Sequence, residues 1–201
     1  MDFSEPLQAL VPGATGRVLA VLVQTSLPLS GRAIAGLAGV SAAQANRVLQ
    51  RLVDLGVVDG RTAPPAILYS LAEDNVAVAP LRALGELSDG FVAQLAKDVA
   101  HVEPAPACVG AYGSFARRRA DQDSDIDLLV VRPRGVDEDD DDWGATLDTI
   151  RVRAGRLAGN RVEILEVGEA ELPRLLRRPR PLWQEILRDF LPIFGPSLHD
   201  L

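Results

Sequence analysis

Gly113-Ser114-Phe115-Ala116-Arg117-Arg118-Arg119 is followed closely by Asp121-Gln122-Asp123-Ser124-Asp125-Ile126-Asp127-Leu128-Leu129-Val130-Val131. Upstream, Ala107-Cys108-Val109-Gly110-Ala111-Tyr112 reads as a buried strand that ends on Gly113. Asp125 to Val131 reads as a second strand, because a short apolar run follows a turn-rich stretch. Side chains two apart in a strand share a face, so Asp125 and Asp127 point the same way. Two like charges there repel unless a cation lies between them, which points to a divalent site with hard oxygen ligands such as magnesium. A pair of solvated carboxylates at a strand start satisfies the same spacing. Gly113 lets a phosphate approach the backbone, and Ser114 offers a hydroxyl next to free amides. A strand, Gly-Ser, a loop and Asp-x-Asp on the neighbouring strand together form a device for holding a metal-bound triphosphate.

Working outward, residues 143–158 read as a helix with Leu147, Ile150 and Leu157 inward, and Gly159-Asn160 turns it. Arg161 to Val167 is the next strand. Asp137 to Asp142 is an acidic run, read as a solvated loop. Trp183, Ile186, Leu187 and Phe190 recur at helical spacing and read as core.

The chain has 201 residues and a formal net charge of −7. That length allows one domain or two small ones. The charge is uneven: residues 1–72 carry a net +1, while 73–104 and 105–201 each carry −4. The first third alone is suited to a phosphate backbone. Cys108 is the one cysteine and His101 and His199 the histidines, so an internal disulfide is excluded and a zinc site has little to build on. No long uncharged apolar run and no basic-then-apolar leader is present, so a cytoplasmic protein without a membrane partner is expected. There is no Gly-x4-Gly-Lys-Ser/Thr loop. Asp121, Asp123 and Asp125 imitate a calcium loop, but Ile126 and Arg132 stand where it needs Gly and Glu.

In the first third, 14–24 reads as a buried helix, Ser30 caps a helix over 31–38 with Ile34 and Leu37 on one face, and Ser41 caps a helix over 42–55 with Ala45, Leu49 and Leu52 inward. Gly39-Val40 joins this pair. A hairpin follows, turning at Asp59-Gly60-Arg61-Thr62 and returning over 66–71. Ser41, Ala43, Gln44, Asn46 and Arg47 would meet DNA at the start of the third helix, with Arg61 at the hairpin tip on phosphate or minor groove. Packing or dimerisation alone is the other use of such a unit. Over about 12–75 the pattern resembles winged-helix domains of bacterial regulators of the MarR and ArsR type. A linking helix is expected over 79–101, with Pro104 and Pro106 closing it.

Gly113-Ser114-Phe115-Ala116-Arg117 and Ser124-Asp125-Ile126-Asp127-Leu128 together resemble the nucleotidyltransferase superfamily that includes DNA polymerase beta, in its minimal and kanamycin-type forms. The resemblance spans about 105–195. It implies a mixed sheet with flanking helices, two magnesium ions, and transfer of a nucleoside monophosphate from a triphosphate to a protein or small-molecule acceptor. It implies that Asp125 and Asp127 hold the metals, that Glu163 is the third metal-binding and catalytic carboxylate, and that Gly113, Ser114 and Arg117 hold the nucleotide. Glu163 stands where Asp is usual, and Arg118 where such proteins usually read Gly. Glu166, on the opposite face, is the weaker third acid. The expected fold is therefore α+β: a winged helix-turn-helix over 1–75, a linking helix over 76–104, and a mixed-sheet nucleotidyltransferase-like α/β domain over 105–201. The function expected is magnesium-dependent nucleotidyl transfer joined to DNA binding. The alternative is a DNA-binding regulator whose second domain senses a nucleotide or builds a homodimer.

Overall fold

A computed structural model describes residues 1–198 and 200; His199, one of the two histidines, lies outside the described residues. The chain is α+β and divides into two compact units, one of residues 5–87 and one of residues 1–4 with 88–201. No described helix is long and apolar enough to cross a membrane.

The unit of residues 5–87 runs α1 (Pro6–Leu10), α2 (Ala14–Gln24), β1 (Leu29–Ser30), α3 (Gly31–Leu37), α4 (Ala42–Asp54), β2 (Val58–Ala63), β3 (Ala66–Leu71) and α5 (Val78–Gly85). Ser30 Oγ accepts the Ala33 amide and so starts α3. Val40 N–H reaches back to Ala35 O at 3.0 Å across Gly39, whose φ of 60° makes that reversal cheap. Ser41 and Gln44 then form a reciprocal capping box at the start of α4. Ala45, Leu49 and Leu52 of α4 pack with Val18, Leu19 and Leu22 of α2 and with Ile34 and Ala35 of α3. The strands pair antiparallel in the order β1-β3-β2.

Two local expectations are corrected here. Leu37 is 68% exposed, because the buried stripe of α3 runs through Ile34, Ala35 and its cap Ala38. The hairpin does not turn at 59–62. Asp59 to Thr62 continue β2, Arg61 pairs with Leu68, and the chain reverses at Pro64-Pro65. The prolines have no N–H for a ladder and so end the strand, overriding the turn preference of Asp-Gly.

The linking helix expected over 79–101 is likewise two helices, α5 and α6 (Leu87–Val99), interrupted at Glu86. The second unit continues with β4 (Cys108–Tyr112), α7 (Gly113–Ala116), β5 (Ile126–Arg132), α8 (Asp141–Ala158), β6 (Val162–Gly168), α9 (Leu172–Arg177), α10 (Pro181–Asp189) and β7 (Leu191–Phe194). Its strands lie in the order β6-β5-β4-β7. β5 and β6 are parallel, joined by the crossover helix α8, and the other pairings are antiparallel, so the sheet is mixed. Leu128, Leu129, Val130 and Val131 are fully buried, as in a strand covered on both faces.

In α8 the inward stripe is Trp143, Thr146, Ile150, Ala154 and Ala158. Leu157, expected inside, is 40% exposed, one position off that stripe. The acidic run is only partly loop: Asp140 caps α8 by accepting the Asp142 and Trp143 amides, and Asp141 and Asp142 occupy the positive first turn.

The first residues of the chain fold with this second unit. Phe3 and Ser4 amides donate to Ala120 O at 2.8 and 3.1 Å. The Phe3 ring packs edge-on against Phe91 of α6 and Phe115 of α7, with centroids 5.8 and 5.0 Å away. Replacing Phe3 by Ala removes one of the three packed rings and should cost roughly 3–5 kcal/mol. Trp143 and Trp183 both lie in residues 88–201. Chemical denaturation followed by tryptophan fluorescence should therefore show the loss. An unchanged midpoint would contradict this packing role for residues 1–4.

Candidate active site

The site is built where β4, β5 and β6 end or begin at one side of the sheet. Asp127, the second residue of β5, stands in register with Tyr112 on β4 and with Glu163 on β6. Asp125 lies just before β5, and Ile126 N–H donates to Arg161 O at 2.8 Å, pinning the start of the strand against β6. Glu163 therefore follows from the parallel pairing of the strands and needs no special loop.

Gly113 begins α7 directly after β4, with φ at 70°. A Cβ there would lie 2.5 Å from Asp127 Oδ2, so only glycine admits the carboxylate this close to the backbone. The Gly-Ser turn and the Asp-x-Asp strand are thus in direct contact. Ser114 is half-buried on α7, and Phe115 beneath it is buried in the aromatic trio.

α7 ends through a local reversal. Arg119 N–H bonds Ser114 O at 2.8 Å, and Arg118 takes the left-handed conformation at φ 56°. This is the position after a helix where glycine is preferred. The departure from Gly at 118 therefore leaves the turn intact but places a strained residue in it. Arg118 also donates to Asp89 Oδ1 at 2.7 Å.

The loop from 121 to 124 is closed on itself and then fastened from outside. Asp121 Oδ1 accepts Ser124 Oγ at 2.7 Å and the Asp123 amide at 3.1 Å. Those bonds hold the Asp121 carboxyl below the usual carboxylate range. Asn160, buried after the end of α8, donates its Nδ2 to Asp121 O at 3.0 Å and to Ser124 O at 2.9 Å. Its Oδ1 accepts the Met1 amino group at 2.7 Å. Sequence reading took Asn160 for a turn residue, and nothing in its spacing from Asp121 signals the contact.

The electrostatics centre on Asp127. Burial raises its carboxyl pKa, Asp125 and Glu163 raise it further, and Arg117 pulls it down. Tyr112 is raised by burial and then by Asp127 and Glu163. The site is a negative cluster that Arg117 and Arg161 offset only in part, and its hard oxygen donors suit a divalent cation. Asp125 and Asp127 are the residues that would hold it. Glu163 is exposed and ion-paired with Arg161, and among the described residues no group of three His, Cys, Asp or Glu is gathered as a ready-made metal shell.

The remaining candidates have other partners. Arg117 forms an ion pair with Asp189. Glu166 accepts from Arg132 Nε at 2.7 Å, an ion pair that leaves it no part in the cluster. Burial pushes the Cys108 thiol up to about 11, so it serves as a small core residue. In the other unit, Ser41, Ala43, Gln44, Asn46 and Arg47 are exposed at the start of α4, and Arg61 is exposed in mid-strand. Ser41 and Gln44 are partly committed to the capping box, where Gln44 Oε1 accepts the Ser41 amide at 3.1 Å.

Residues 92–179 match the family model described as a nucleotidyltransferase domain. No curated protein matches the chain. Among solved structures, one described as the crystal structure of the predicted DNA-binding transcriptional regulator from E. coli is similar at 24% identity and a TM-score of 0.33, over 40% of this chain and 84% of that one. The site residues Gly113, Ser114, Asp125, Asp127 and Glu163 all fall inside the segment that is similar to nucleotidyltransferase domains.

A carboxyl with a raised folded-state pKa costs stability once ionised. That cost is absent below its unfolded pKa of about 3.9 and complete above the folded one. Asp127→Asn should therefore raise the thermal midpoint of the ligand-free protein at about pH 7, with the gain vanishing below about pH 4. A gain independent of pH would contradict the charge-repulsion origin.

Proposed function

We propose that residues 88–201 transfer a nucleoside monophosphate from a triphosphate to a hydroxyl-bearing acceptor, a protein side chain or a small molecule, with magnesium ions. The observation that carries this reading is the alignment of Asp127 and Glu163 across β5 and β6, with Asp125 beside them and Asp127 against Gly113. The similarity of residues 92–179 to nucleotidyltransferase domains supports the same chemistry. Bound magnesium would neutralise the phosphate oxygens and steady the attacking and leaving oxygens of an in-line displacement. Asp125 and Asp127 would hold the metal. Gly113 and Ser114 would bring backbone and hydroxyl against the triphosphate. Glu163, swung from Arg161, would take the acceptor's proton as its oxygen bonds the α-phosphorus and pyrophosphate leaves.

The unit of residues 5–87 is proposed to bind DNA as a winged helix. Exposed Ala43, Asn46 and Arg47 at the start of α4 support this reading, with Arg61 on the adjoining hairpin as a phosphate contact. Salt-sensitive binding to duplex DNA is expected, weakened across sequences by Arg47→Ala. Binding no stronger than that of an unrelated acidic protein at low salt would remove it.

One observation favours a second reading. Glu163 is exposed and paired to Arg161, and among the described residues no three carboxylates are gathered as a metal shell. A site of that kind binds a nucleotide as a signal without turning it over. Incubation with α-labelled nucleoside triphosphates, magnesium and cell extract separates the two. Transfer of label to a new species, abolished in Asp125→Asn/Asp127→Asn, is expected. Nucleotide binding without transfer would replace the enzyme with the sensor.

A further inference from the structure

α10 ends in Arg188-Asp189, beyond residue 179, where the similarity to nucleotidyltransferase domains stops. It packs on α7 and β4, which carry the Gly-Ser turn. The Asp189 side chain is only 6% exposed and is held by two guanidinium groups. Its Oδ1 accepts Arg188 Nε at 2.8 Å, and its Oδ2 accepts Arg188 Nη2 at 3.0 Å as well as Arg117 Nη1. One oxygen thus serves both arginines and brings their charges together.

A single carboxylate cannot neutralise two guanidinium groups, so this trio keeps a net positive charge, with Glu185 as the further acid that acts on Arg188. Arg117 and Arg188 remain 37% and 63% exposed. Each guanidinium carries five N–H donors in a planar fork, and Asp189 takes one from Arg117 and two from Arg188. Such forks match phosphate oxygens. Arg117 caps α7 four residues after Gly113, and α10 packs on α7, so the two guanidinium groups lie by the helix that carries the Gly-Ser turn.

We propose that Arg117 and Arg188, set together by Asp189, clamp the polyphosphate tail of the nucleoside triphosphate, with Asp189 as the positioning residue. The clamp rests on the nucleotide-transfer reading above. It assigns Arg188 and Asp189 to the site and places phosphate recognition partly on α10.

The test titrates wild type, Arg188→Gln and Asp189→Asn with each nucleoside triphosphate and each monophosphate, in magnesium, by calorimetry. Asp125→Asn/Asp127→Asn serves as the control for the site as a whole. Arg188 is exposed, so its variant keeps the fold, and circular dichroism verifies Asp189→Asn. Triphosphate affinity should fall about tenfold in Arg188→Gln, with monophosphate affinity changed less than about twofold. Asp189→Asn should show the same selective loss, and in turnover KM should rise with kcat nearly unchanged. Triphosphate binding that needs Asp125 and Asp127 but is indifferent to Arg188 and Asp189 would overturn the clamp and leave the nucleotide reading standing. Wild type that binds no triphosphate would overturn both.

Discussion

Asp127 has to carry its charge half-buried, with Asp125 and Glu163 close by and Tyr112 alongside, and much of the surrounding structure serves that requirement. The parallel pairing of β5 with β6 fixes Glu163 opposite it. Gly113 gives its carboxylate room where any side chain would collide. Arg117 offsets part of the repulsion and is itself held by Asp189. A fold keeps like charges together at a cost to its stability, and such costs concentrate where ligands bind.

The supports of this cluster come from distant parts of the chain. Asn160 donates to two carbonyls of the 121–124 loop, so the turn after α8 sets the entry to β5. Phe3 and Phe91 pack on each other and on Phe115 of α7. These two residues flank the whole 5–87 unit in sequence. That unit is therefore an insertion between two segments that support the Gly-Ser helix. The left-handed Arg118 at the end of the same helix adds local strain next to the Gly-Ser turn.

Much of this was legible in the residues. The apolar run after Asp127 and the alternation of Asp125 with Asp127 gave the strand and its acidic face, and the glycine before Ser114 gave the turn. Helix caps at Ser30 and Ser41 placed α3 and α4, because short side-chain-to-amide bonds are local and readable. The failures have physical causes. Leu37 and Leu157 were placed inward by spacing, yet burial follows stripes of smaller residues such as Ala35 and Ala154. Asp59-Gly60 reads as a turn until Pro64-Pro65 ends the ladder further on. Phe3, Asn160 and Asp189 are invisible because the groups that fix them are distant in sequence: 36 to 159 residues away for Asn160, 72 for the Arg117 that reaches Asp189, and 88 or more for the rings around Phe3.

Asp125 and Asp127 are proposed to form a working site for a metal-bound nucleoside triphosphate. Thermal unfolding with each triphosphate, in magnesium and in chelator, tests it without knowledge of the acceptor. At ~100 times its dissociation constant, the right ligand should stabilise the wild type by roughly 2.7 kcal/mol. The gain should disappear in chelator and in Asp125→Asn/Asp127→Asn. No stabilisation by any triphosphate, or one that survives in chelator and in the double variant, would contradict it.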